Sequence, residues 1–141
     1  MVPSTIFVPS NKLKEELTEK VLENLIIDNI SNVMEQLGEG YCFIKNQYKI
    51  NIGNNKNYID ILLFNIKYNN YVVIELKVRE FRKEDIGQIL LYMNYIDKEV
   101  KSITQNKTMG IIITKEVDKF VVRYVNHDNI AISSINLVEQ P

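Results

Sequence analysis

The chain has 141 residues, 45% of them apolar and 25% charged, a balance that excludes disordered and collagen-like classes and suits one domain with its own core. A formal net charge of −1 speaks against a broadly basic surface, and a single cysteine, Cys42, excludes an internal disulfide. No apolar run is long enough to cross a bilayer and the N-terminus lacks the pattern of a secretory signal, so a cytoplasmic protein is expected.

Residues 1–11 hold two of the three prolines and no helical period, and read as an arm or linker stub ahead of a domain over 12–141. Ser10 or Asn11 is expected to cap a helix from Lys12 to Leu37, where Leu13, Leu17, Val21, Leu25, Ile26, Ile30, Val33, Met34 and Leu37 keep an i, i+3, i+4 spacing. Gly38 and Gly40 end it. Two short strands are expected at Cys42–Lys45 and Gln47–Ile52, followed by a turn over Gly53–Asn57 and strands over 58–65 and 71–78. A second helix follows over Glu84–Lys98, with Ile86, Ile89, Leu90, Met93 and Ile96 as its stripe. Met109–Thr114 is almost wholly apolar, as in a strand covered on both sides. Lys119–Val125 and Ile130–Ile135 supply further β material. The expected fold is α/β, with a mixed, largely meander-built sheet flanked by helices.

Three charges interrupt this apolar pattern. Asp60 stands within Tyr58-Ile-Asp-Ile-Leu-Leu-Phe64, and Glu75-Leu76-Lys77 stands within the strand fifteen positions later. Glu75 and Lys77 project from one face of their strand while Leu76 projects from the other. A buried carboxylate costs several kcal/mol unless paired, protonated or metal-bound, so two acids and an ammonium on one patch suggest a hard-cation site. A paired charge cluster at a sheet edge is the plainer reading of the same spacing. Residues 1–40 carry three Lys/Arg against seven Asp/Glu and residues 41–141 fourteen against eleven, so the second region is net positive and overall charge does not exclude a phosphate substrate.

The leading helix, the meander with Asp60 and then Glu75-Leu76-Lys77, the next helix and the apolar strand resemble the PD-(D/E)XK nuclease superfamily. Gln88-Ile-Leu-Leu-Tyr92 is similar to a Gln-x-x-x-Tyr motif of some branches. With Leu37-Gly-Glu-Gly-Tyr-Cys-Phe43, Gln47-Tyr48 and Gly87-Gln88, the sequence resembles more closely the C-terminal nuclease domain of YhcG-like proteins, over roughly residues 20–125. The resemblance implies a restriction-endonuclease-like core and a DNA endonuclease dependent on Mg²⁺ or Mn²⁺, with RNA not excluded as substrate. It implies Asp60, Glu75 and the backbone carbonyl of Leu76 as metal ligands. Such proteins often add a Glu from the first helix; Glu23 is the best positional match and Glu35 the fallback.

Lys77 would then orient the attacking water, with Gln88 and Tyr92 positioning the nucleophile or the scissile phosphate. Arg79, Arg82 and Lys83 form a weak candidate phosphate patch, while Gln47 and the lone His127 receive no role. Nucleases of this kind usually carry an N-terminal domain, so this is either an excised domain or a stand-alone relative, and a homodimer is compatible with cutting both strands. The rivals are a catalytically silent module of the same fold that binds DNA or a protein partner, and an oligomerisation module using the acidic first helix.

Overall fold

The computed structural model describes residues 2–11, 16–117 and 127–139. Its elements run β1 (Thr5–Pro9), α1 (Glu19–Asp28), α2 (Ile30–Leu37), β2 (Tyr41–Ile52), β3 (Asn55–Asn65), β4 (Asn70–Glu80), α3 (Glu84–Glu99), β5 (Met109–Glu116) and β6 (Ile130–Val138). The six strands form one sheet in the order β1-β6-β5-β4-β3-β2. Strands β2, β3 and β4 make the expected antiparallel meander, and β4, β5, β6 and β1 run parallel to one another. Helix α3 makes the crossover from β4 to β5 that a parallel pair requires.

Alternation along the strands supplies both faces of the sheet with a core. Ile61, Leu63, Val72, Ile74, Leu76, Ile111 and Ile113 pack with Leu22, Ile26, Val33 and Leu37 of α1 and α2. Leu62, Val73 and Ile112 pack on the opposite side with Ile89, Met93 and Ile96 of α3. Strand β5 is buried from Gly110 to Thr114, as its apolar run predicts. Among the described residues no helix is long and apolar enough to cross a membrane.

The structure corrects three expectations. The segment read as an arm contains β1, an edge strand parallel to β6 with Ile6 and Val8 fully buried. Two prolines hid this short alternation. The Gln36 amide donates to the Phe7 carbonyl and accepts from its N–H, both at 2.8 Å, in place of a further strand.

The single long helix is two. Thr18, rather than Ser10 or Asn11, caps α1 by accepting from Val21 N–H at 3.1 Å, and residues 12–15 lie outside the described residues. Asn29 leaves helical geometry at φ −119° and ψ 27°, with its side chain donating to the Leu25 carbonyl at 2.8 Å. Such local competition for a backbone acceptor interrupts helices that periodicity alone would continue. The two short strands near 42–52 are instead one strand, β2, with a register shift between Phe43 and Lys45. Lys119–Val125 lies outside the described residues.

Candidate active site

The meander opens where its charges lie. Strand β3 pairs with β2 as far as Asn55, but with β4 only over Ile61–Asn65 against Ile74–Asn70. The strand also changes face there: Ile59 packs on the α3 side, and Ile61 packs on the α1 side. Across from it, Gln47 adopts a left-handed backbone at φ 49°. Regular alternation therefore fails at Asp60, and its side chain fills the gap left between β3 and β4. Its Oδ2 accepts from the Leu76 N–H at 2.8 Å, in the place of a strand carbonyl.

This brings Asp60 against Glu75. The Asp60 N–H donates to Glu75 Oε1 at 3.4 Å, and Glu75 is only 5% exposed. Burial, then the neighbouring Asp60 charge, pushes Glu75 up to about 9, although the Asp60 N–H and the Lys77 charge pull the other way. Asp60 is raised too, chiefly by burial; its bonds from Leu76 and Gln47 oppose this, and the charges of Glu19 and Glu23 add to it. Lys77 lies two residues beyond Glu75, and the side chain of Leu76 belongs to the α1 and α2 core. Only the backbone of Leu76 is thus available to the site.

Helix α1 contributes Glu23, which is 3% exposed. Asn46 Nδ2 donates to Glu23 Oε2 at 3.1 Å, and Lys20 Nζ stands 3.7 Å from the same oxygen. Gln47 Nε2 donates both to Glu23 Oε1 and to Asp60 Oδ1, the latter at 3.3 Å. One amide therefore holds carboxylates from a helix and a strand in a fixed relation. The structure places Glu23 beside Asp60; Glu35 is an exposed residue of α2 beside Gly38 and Tyr41. Sequence reasoning missed Asn46 and Glu19, and gave no role to Gln47. Glu19 precedes Glu23 by one helical turn, and its charge acts on both Asp60 and Glu75. The i, i+4 pair of acids was the available signal.

From α3, the buried Tyr92 accepts at its hydroxyl from Gln88 Nε2 at 3.3 Å. Its phenol is raised by burial first, eased by that bond, and raised further by Glu75 and Asp60, which places the ring within the field of the acid pair. Gln88 itself is exposed. Arg79 is engaged elsewhere: Nη1 and Nη2 donate to the two Asp85 oxygens at 3.1 and 2.7 Å. Arg82 and Lys83 are exposed.

The donor set can be weighed against a metal on its own chemistry. The buried Glu75 and half-buried Asp60 carboxylates disfavour each other's charge, and a divalent cation between them would relieve that repulsion. Among the described residues no three His, Cys, Asp or Glu side chains are grouped to hold an ion. The set is therefore a pair of acids with backbone oxygen and water, which suits a hard cation that keeps much of its hydration shell. The residues fit such an ion.

The family described as YhcG PDDEXK nuclease domain matches residues 5–139. A curated relative, "Putative nuclease YhcG" of Escherichia coli (strain K12), is 28% identical over 105 residues, 74% of this chain and 28% of the relative's length. A repair endonuclease from Pyrococcus abyssi superposes with a TM-score of 0.58 at 19% identity, over 94% of this chain and 50% of that one. The EndoMS protein in its complex with dsDNA gives a TM-score of 0.59 at 20% identity, over 88% of this chain and 45% of that one. These structural likenesses establish a shared endonuclease-type fold, and the chain spans only part of each protein it matches.

Proposed function

Since the chain belongs to the YhcG PDDEXK nuclease domain family, we propose that it is a DNA endonuclease, dependent on Mg²⁺ or Mn²⁺, that hydrolyses phosphodiester bonds at Asp60, Glu75 and Lys77. The observation that carries this reading is the placing of the half-buried Asp60 against the buried Glu75 carboxylate, with the Asp60 backbone N–H donating to Glu75 Oε1 at 3.4 Å and Lys77 beside them on the strand. DNA is preferred over RNA by analogy with the duplex-bound EndoMS protein and the Pyrococcus abyssi repair endonuclease.

Asp60, Glu75 and the Leu76 carbonyl would hold the cation, with Glu23 within reach through Gln47. When bound, the ion supplies a more acidic water and neutralises charge on the phosphate. The Leu76 N–H and the Gln47 amide fix the two Asp60 oxygens, so that little reorganisation is needed as the reaction proceeds. Lys77 orients the attacking water with an N–H and stabilises the developing negative charge of the phosphoryl oxygens. Tyr92, with Gln88 at its hydroxyl and within the field of the acid pair, positions the nucleophile or the scissile phosphate.

The test is cleavage of plasmid, linear, single-stranded and branched DNA, and of RNA, with Mg²⁺ or Mn²⁺. Wild type is expected to cut only with the cation, and Asp60→Ala and Lys77→Ala to lose at least about a hundredfold in rate. Equal cutting by both variants would overturn the site assignment. A wild type that binds DNA but cuts nothing would identify a catalytically silent module.

A further inference from the structure

We infer that the outer face of the β2–β3 hairpin is a track for the nucleic-acid backbone flanking the scissile phosphate, built on Lys49, Tyr58, Asn51 and Lys56. The inference rests on the nuclease reading above and extends it to residues outside the acid site.

The register sets the arrangement. Lys49 lies directly across from Tyr58, and Asn51 across from Lys56, and antiparallel partners share a face. The alternate residues Ile50, Ile59, Tyr48 and Ile52 pack against the α3 side, so the two rungs lie on the face turned away from α3. That face is open. Lys49, Asn51 and Lys56 are exposed, and Tyr58 is 47% exposed. Neither lysine is in an ion pair among the described residues.

Charge points to a polyanion. Residues 41–59 contain Lys45, Lys49 and Lys56 and no acid, whereas residues 19–39 contain Glu19, Glu23, Asp28, Glu35 and Glu39 against Lys20 alone. On the sheet face that the hairpin shares with α1 and α2, a phosphate backbone approaching the acid site is thus repelled by those two helices and drawn along the face toward the hairpin. Tyr58 and Lys56 precede Asp60 by two and four residues, placing the rungs about 7 and 14 Å along the strand from it. A rung repeat of about 7 Å matches the axial rise of roughly two nucleotides of one strand. Lysines and Asn51 supply donors to phosphate oxygens, and Tyr58 offers a ring for a sugar or base. Arg79, whose guanidinium is committed to Asp85, is not needed for this contact.

The experiment measures binding of the full chain to fluorescent single-stranded and duplex oligonucleotides in EDTA between 50 and 200 mM salt, and the cutting rate with the cation restored. Lys49→Glu and Lys56→Glu are each expected to weaken binding about tenfold and to lower the salt slope by about one. Lys49→Arg and Lys56→Arg should bind as wild type, and Lys107→Glu should change affinity less than about threefold. Saturating substrate should restore kcat in the two reversal variants, since the track acts on KM. Thermal melting confirms that each variant is folded. If wild type binds and cuts but both hairpin reversals match it at every salt concentration, the track is overturned while the nuclease reading stands. If wild type neither binds nor cuts any nucleic acid, the nuclease reading fails and the track with it.

Discussion

Two buried acids, Glu75 in the middle of β4 and Asp85 in the first turn of α3, show how the same residue class can serve the fold or burden it. Asp85 and Glu75 are each 5% exposed, yet their protons behave in opposite ways. Burial pushes Asp85 up, but two bonds from Arg79, one from the Arg82 N–H at 2.9 Å and the Arg79 charge outweigh it, and the carboxyl is held below its ordinary value. Among the described residues Glu75 has no ion pair; the Asp60 charge adds to its burial, and it rises to about 9. A buried acid completed by its own protein is a structural joint between β4 and α3. One left incomplete beside a second acid is what the cation site proposed above requires.

Breaking the completed pair should cost most. Asp85→Ala leaves Arg79 without its partner and frees the Arg82 N–H, and buried pairs broken on one side typically lose 3–5 kcal/mol. Arg79 is 33% exposed, so solvent screens part of the loss, and about 2–3 kcal/mol is expected. Urea unfolding should show this as a lower midpoint with an unchanged slope.

The incomplete pair predicts a gain. Glu75→Gln removes the proton uptake that burial forces on the folded chain at neutral pH, and should raise stability in metal-free buffer by about 1–2 kcal/mol. Millimolar Mn²⁺ should then raise the melting temperature of wild type and leave Glu75→Gln nearly unmoved, because the proposed site needs the intact acid pair to bind the ion. Wild type losing stability on Glu75→Gln, with no response to the ion, would make Glu75 a structural residue like Asp85.

Acid and base separate the two sites further. The depressed carboxyl of Asp85 gives stability that is present above its unfolded value of 3.8 and is lost as pH falls through its lower folded value. The raised carboxyl of Glu75 works the other way: between 4.5 and about 9 the unfolded chain gives up a proton that the folded chain keeps, so stability falls as pH rises. The advantage of Glu75→Gln should therefore be absent at pH 4 and grow toward pH 8, whereas the deficit of Asp85→Ala should shrink only at the acid end. Melting curves of the three proteins across this range measure both slopes.

The sheet was legible in the sequence because β-branched runs and Asn-rich turns mark its strands, and the 3.6-residue period marks its helices. Asp60, Glu75 and Lys77 stood out for the same reason, as charges in an apolar pattern. What periodicity could not express were its own exceptions. Asn29 cuts the first helix by a side-chain bond to Leu25, and β1 is too short and too proline-rich to read as a strand. The change of face between Ile59 and Ile61 depends on the left-handed turn of Gln47 in the neighbouring strand, a pairing invisible to either segment alone. The link from Glu23 through Gln47 to Asp60 is likewise a tertiary fact, and the Arg79–Asp85 joint converts an apparent phosphate ligand into a fold contact.

The smallest expected effect on stability tests whether α3 belongs with the incomplete site or with the core. Tyr92 is buried among Ile89, Met93 and Ile96, so as a core aromatic it should tolerate phenylalanine, which keeps the ring and loses only the bond from Gln88. Tyr92→Phe should cost less than about 1 kcal/mol. Its hydroxyl nevertheless lies in the field of Glu75 and Asp60, whose charges act on it, and as a positioning group its loss should slow cutting about tenfold while substrate affinity holds. Gln88→Ala, which removes the partner but leaves the hydroxyl, should retain more activity than Tyr92→Phe. Cutting that falls only in proportion to folded protein, measured by the melting curve, would return Tyr92 to the core and confine the site to the strands and α1.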